Sequence, residues 1–226
     1  MKKKRSAFPK VLFILPVLFL ALAAFFLLFN REEQKDFKSD GILKVCLDPG
    51  HGLDDPGAKS SDGLRLEKDD CLKLALAVKD KLSESWPEIE VVMTRDSDTY
   101  PTLEERCSIA NDSDSDIFVS IHRNSADGAS GTEVWIKSSK PEIDKDLAKK
   151  ILAGLDSVGI SSNRGVRNGT ANNPESDYYV NKNTDMPSCL IELGFITSEK
   201  DNELFDKNFD DYAKAIAKAI AKELTA

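Results

Sequence analysis

Hydrophobic positions along the chain follow three rhythms. The first is a continuous run: Val11 to Phe29 is 19 consecutive apolar residues, altered in character only by Pro16. At a rise of about 1.5 Å per residue, such a run just crosses a hydrocarbon core of about 30 Å. The second rhythm is short β-type runs: Leu43–Asp48, ended by Pro49-Gly50, then Glu88–Met93, Ile117–Ile121, Thr132–Ile136 and Ser188–Ile191. The third is helical. Cys71, Leu74, Ala75, Val78 and Leu82 recur at helical spacing within Glu67–Ser85. Thr102 opens a second helix with Glu105 three residues on, a capping box. Asp144–Val158, Glu199–Phe205 and Phe209–Leu224 also read as helices. Strands alternating with helices predict one α/β domain, a mostly parallel sheet flanked by helices. Residues 159–177 form a long, mostly polar stretch and read as a loop.

Charge divides the chain in the same place as hydropathy. Residues 1–30 hold Lys2, Lys3, Lys4, Arg5 and Lys10 and no acid, whereas the remainder sets 26 basic against 39 acidic residues, a net −13. A basic cluster before an apolar run places the N-terminus in the cytoplasm and the rest of the chain outside. The expected organisation is a basic segment 1–10, a transmembrane anchor 11–29, a linker 30–41 and a folded domain 42–226. The alternative is a secretory signal. Ala21-Leu22-Ala23 has the small-x-small form, but five more apolar residues follow it, so the flank rules favour a retained anchor. A body so acidic is a poor ligand for phosphate backbones, so no nucleic-acid partner is expected. Cys46, Cys71, Cys107 and Cys189 each fall inside a predicted element without a C-x-x-C pair, and read as small buried hydrophobes.

Candidate chemistry concentrates at strand ends, where open α/β sheets bind ligands. The chain has two histidines, His51 and His122. His51 follows the first strand in Asp48-Pro49-Gly50-His51-Gly52, and His122 follows the third in Ser120-Ile121-His122-Arg123-Asn124. Two imidazoles and a carboxylate form a set suited to catalytic Zn²⁺, which lowers the pKa of water and polarises a carbonyl oxygen. Two carboxylates compete for the remaining ligand and base roles. Glu67 opens a helix, where a negative charge is also favourable without any metal. Glu192 interrupts an apolar strand end, just past Ser188–Ile191, where an unpaired carboxylate is costly unless it serves a function or meets an Arg. Neither G-x-S-x-G nor H-E-x-x-H occurs, which excludes the nucleophile elbow and the zincin helix.

At these residues the chain resembles the zinc-dependent N-acetylmuramoyl-L-alanine amidases of the Amidase_3 type. The resemblance runs from about Lys44 to Ala219 through ordered blocks. These include Leu47-Asp48-Pro49-Gly50-His51-Gly52, Asp55-Pro56-Gly57-Ala58, Glu67-Lys68-Asp69 and Thr94-Arg95-Asp96. Further on come Leu103-Glu104-Glu105-Arg106, Phe118-Val119-Ser120-Ile121-His122-Arg123-Asn124, Met186-Pro187 and Ile191-Glu192-Leu193-Gly194-Phe195. The resemblance implies a twisted sheet of about six strands, zinc ligands at His51, Glu67 and His122, and the catalytic carboxylate at Glu192. It implies hydrolysis of the amide between N-acetylmuramic acid and L-alanine in peptidoglycan, with Glu192 moving the proton. The family serves cell separation, wall turnover, lysis and spore cortex maturation and germination; the sequence does not choose among these roles and does not show a protein activator. Two positions depart from its commoner pattern. Arg123 stands where a small residue is usual and is expected to face solvent or a substrate carboxylate; Ser198 stands where Asn is usual and suits a helix N-cap. Asn124 reads equally as a substrate-orienting or a structural side chain. The segment between His122 and Gly131 is too short for an inserted autoinhibitory helix. The competing readings are a silent wall-binding module and a zinc peptidase cutting within the stem peptide.

Overall fold

A computed structural model describes residues 41–225. The apolar run Val11–Phe29 and its basic flank lie outside the described residues, and no helix among those described is long and apolar enough to cross a membrane. In chain order the elements are β1 (Leu43–Pro49), α1 (Glu67–Ser85), β2 (Ile89–Met93), α2 (Leu103–Asp112), β3 (Ile117–Asn124) and β4 (Thr132–Ile136). They continue with α3 (Glu142–Val158), β5 (Asn163–Asn168), α4 (Tyr179–Asn183), β6 (Ser188–Phe195), α5 (Glu199–Lys207) and α6 (Phe209–Leu224).

The six strands form one sheet in the order β2-β1-β3-β6-β4-β5. All neighbours pair in parallel except β4 and β6, which are antiparallel. Side chains of successive strand residues point to opposite faces, so a sheet with helices on both sides carries two cores. On one face Ile117, Val119, Ile121, Cys189, Ile191, Val134 and Ile136 pack with the buried stripes of α1, α3 and α6. On the other, Phe118, Leu190 and Trp135 pack with Cys107 and Ala110 of α2 and Val180 of α4. The predicted α1 stripe, Cys71, Leu74, Ala75, Val78 and Leu82, is buried as its spacing requires. Burying each such Leu or Val contributes roughly 1.5–3 kcal/mol before entropy is counted. All four cysteines are buried and unbridged.

Three expectations need correction. Residues 159–177 are not a continuous loop, because Asn163–Asn168 forms the edge strand β5, paired only with β4. Its sequence NRGVRN offers a single apolar side chain, Val166, to the core; backbone pairing alone makes it a strand. The strands β3 and β6 also run past their expected ends, so His122 and Glu192 sit within strands rather than after them. Arg123 does not face solvent: it is 2% exposed and among the largest fully buried side chains. The segment between β3 and β4 contains no helix, as its length predicts.

Candidate metal centre

The site begins where β1 ends. Gly50 N–H donates to the Ile121 carbonyl at 3.0 Å, so the loop leaves the sheet beside β3. A Cβ on Gly50 would lie 2.1 Å from Cε1 of the His122 ring, so only glycine permits this approach. The chain then turns at His51, which holds a left-handed φ of 60°. Two buried arginines keep that turn in place. Arg106 Nη1 donates to Asp48 Oδ1 and to the Pro49 carbonyl, both at 2.7 Å, and Nη2 donates to the His51 carbonyl at 2.7 Å. Arg95 donates to the carbonyls of Pro49 at 3.0 Å and Gly50 at 2.8 Å. Both arginines belong to blocks that carried the resemblance, but their task was not legible there.

Glu67 is the first residue of α1, and Leu66 before it supplies no side-chain cap. Its carboxylate instead turns back over the helix start. Oε2 accepts the Ala58 N–H at 2.7 Å and Oε1 accepts the Arg123 N–H at 3.0 Å. Oε1 also lies 3.2 Å from His51 Nε2 and 3.0 Å from His122 Nδ1. The two imidazoles meet edge to face, with centroids 5.0 Å apart. Asp55 Oδ2, 2.8 Å from His51 Nδ1, sets the orientation of that ring. Gly57, at φ 64°, clears the space behind: a Cβ there would come within 2.7 Å of Glu67 Oε2. Burial opposes the Glu67 charge, but bonds to both histidines hold its carboxyl well below the usual range. Burial likewise opposes a charged His51, yet Glu67 and Asp55 raise its pKa.

One ligand atom from each of His51, Glu67 and His122 lies within 4.8 Å of the others. Two ring nitrogens and a carboxylate oxygen converging from the loop after β1, the start of α1 and β3 are a donor set that fits Zn²⁺ with a position left open. Glu192 lies beside them on β6, in register with His122 on one side and Glu133 on the other. Its Oε2 is buried without a hydrogen-bond partner. Burial, then the charges of Glu67 and Glu133, push its carboxyl well above the usual range. The expected alternative, a salt bridge to an Arg, is absent among the described residues. Glu133 takes such a partner instead: Oε2 accepts from Arg164 at 2.9 Å, and Oε1 from Asn124 at 2.9 Å and the Trp135 indole at 3.2 Å. Asn124 is therefore occupied with Glu133. Sequence reading missed Glu133; its only signal was a charge inside the apolar run Thr132–Ile136. The cleft over these groups has a volume of about 470 Å³, and Tyr100, Leu103 and Tyr179 stand exposed at its mouth.

The described domain is similar to known proteins in sequence and in fold. The family profile described as N-acetylmuramoyl-L-alanine amidase matches residues 45–225. The chain is 40% identical over 178 residues to YqiI of Bacillus subtilis, covering 78% of this chain and 80% of that protein. It is 33% identical over 169 residues to the sporulation-specific N-acetylmuramoyl-L-alanine amidase of the same organism, covering 74% of this chain and 62% of that one. It spans about half the length of other curated relatives it matches. The crystal structure of N-acetylmuramoyl-L-alanine amidase from Clostridium difficile 630 superposes with a TM-score of 0.74 at 32% identity, over 83% of this chain and 99% of that chain.

Proposed function

The chain belongs to the N-acetylmuramoyl-L-alanine amidase family, and from that premise we propose that it hydrolyses the amide joining N-acetylmuramic acid to L-alanine in peptidoglycan. The observation that carries this reading is the pairing of a three-donor cluster with Glu192, whose Oε2 is buried and unpartnered in the same cleft. His51, Glu67 and His122 are the residues that would hold zinc. Bound there, zinc supplies Lewis acidity, which activates water and polarises the scissile carbonyl.

The remaining work belongs to the chain. Asp55 fixes the His51 ring, so Nε2 faces the cluster. Arg106 and Arg95 hold the 48–51 loop by its carbonyls, which keeps His51 in register with His122. Glu192 takes the proton of the attacking water and returns it to the alanine nitrogen as the C–N bond breaks. A carboxyl raised by burial is suited to that transfer, because it holds a proton nearer neutrality than a solvated carboxylate does.

The test is digestion of purified peptidoglycan by the zinc-loaded full chain, read by mass spectrometry. We expect stem peptides with a free N-terminal alanine. Glu192→Gln should lose about 10²-fold or more in rate while binding zinc normally; His122→Ala should lose zinc as well. Retained activity in Glu192→Gln would remove the proton-transfer role. Products cut within the stem would make the chain a peptidase, and zinc binding without any product would favour the silent wall-binding module.

The proposal extends to place and role. The run Val11–Phe29 after a basic flank supports a single-pass anchor with the domain outside the cytoplasmic membrane. Likeness to a sporulation-specific amidase supports wall remodelling that includes the spore cortex.

A further inference from the structure

Arg123, next to His122 on β3, is a fully buried arginine. Its backbone N–H reaches Glu67 Oε1 at 3.0 Å. Its guanidinium bonds Asp70 Oδ2 at 2.5 Å and Asn202 Oδ1 at 2.7 Å, and its Cζ lies 4.4 Å from the centre of the Phe205 ring. Arg65 joins the same group: its Nε donates to the same Asp70 oxygen at 2.7 Å, and its Cζ lies 4.9 Å from the Phe205 centre. The Arg65 fork then closes on both Asp206 oxygens, at 2.8 and 3.0 Å. Two guanidinium groups, one shared carboxylate and one aromatic ring thus join β3, the start of α1, and α5.

We propose that the Arg123–Asp70 ion pair is a positioning device for the metal ligands, tying His122 to Glu67 through their neighbours in the chain. Arg123 follows His122 directly on β3, at the point where the register against β6 shifts. Asp70 lies three residues after Glu67, one helical turn along the same face of α1. The ion pair therefore spans the same gap as the two ligands, from the buried side. Glu67 needs such support, because its helix begins without a side-chain cap. Holding up the fold alone does not explain the pair. A buried arginine is costly to desolvate, and apolar packing of equal volume commonly stabilises as well or better. A planar fork fixed to two different elements instead delivers geometry, and lysine cannot reproduce it.

The inference rests on the metal reading above, and its readouts are zinc affinity and coordination geometry rather than turnover. In the full chain, zinc binding is measured by competition with a chelating dye, and the site is reported by the visible absorption of bound Co²⁺. Arg123→Lys and Asp70→Asn are each expected to weaken zinc about 10–100-fold, the usual range for partners of metal ligands. Each should also change the Co²⁺ spectrum. Asn202→Ala, which removes one contact of the fork, serves if either variant fails to fold, and should weaken zinc by a smaller factor. Leu155→Ala, in the core and outside the cleft, controls for general destabilisation: at a similar urea midpoint it should keep zinc affinity within about threefold, below the range expected for partners of metal ligands. Unchanged zinc affinity and Co²⁺ spectrum in the folded variants would overturn the proposal, as would an equal loss in Leu155→Ala. A chain that binds zinc with this dependence yet releases no stem peptide would overturn the amidase reading alone. A wild-type chain that binds no zinc would overturn both.

Discussion

Asp144 shows what burial does to a single carboxylate when compensation is incomplete. It stands in the first turn of α3, 2% exposed, with Oδ2 lacking a partner. Burial pushes its carboxyl up to about 6, against the opposing charge of Lys137. In the unfolded chain the group titrates near 3.9. Between those values the folded state holds the extra proton, so this residue's contribution to stability falls as pH rises from about 4 to about 6, then stays flat. Asp144→Asn should therefore stabilise the protein at pH 7.5 by roughly 1–2 kcal/mol, after loss of the favourable charge at the helix start. The gain should vanish near pH 4. Urea midpoints of both proteins from pH 4 to 8 test this; a constant difference across the range would refute it. The candidate residues His51, Glu67, His122 and Glu192 could be singled out because each breaks a local pattern at a strand or helix end. Arg123 and Glu133 were not. An arginine or glutamate in a strand reads as exposed until a partner in another element is seen, and theirs are Asp70 and Arg164, 53 and 31 residues away.

At the level of elements, α2 links helix capping to the site. Thr102 Oγ1 accepts the Glu105 N–H at 3.2 Å, and Glu105 Oε2 accepts the Thr102 N–H at 2.7 Å, as the capping box predicts. The helix so fixed carries Arg106, which holds Asp48, Pro49 and His51. Thr102→Ala should cost about 1 kcal/mol of stability, seen as a lower urea midpoint with an unchanged slope. A midpoint equal to wild type would mean that tertiary contacts alone hold α2. Ser198 caps α5 in the same manner, its side chain accepting the Asp201 N–H at 3.3 Å. Caps were readable because the residues that form them are adjacent in sequence. The edge strand β5 was not, because an edge strand with one packed side chain leaves almost no hydropathy signal.

For the whole molecule, charge and hydropathy divide the chain between a basic, apolar N-terminus and a remainder, residues 31–226, of net −13. If Val11–Phe29 is a retained anchor, the full chain should stay with membranes through alkaline carbonate washing and keep its full mass. A shorter chain released to the medium would identify a cleaved signal instead. The sequence by itself determined the α/β class, most elements and the burial of the cysteines, and it nominated four candidate site residues. Periodicity reports which face of an element is buried, and short motifs report local turns and caps; both are properties of neighbouring residues. Tertiary structure decided the strand order β2-β1-β3-β6-β4-β5 that sets Glu192 beside His122. It also decided the reach of β3 and β6, the strand β5, and the ion pairs of Arg123, Arg106 and Glu133. Those depend on distances between elements far apart in the chain, and a buried charge is tolerated only where such a distance brings its partner.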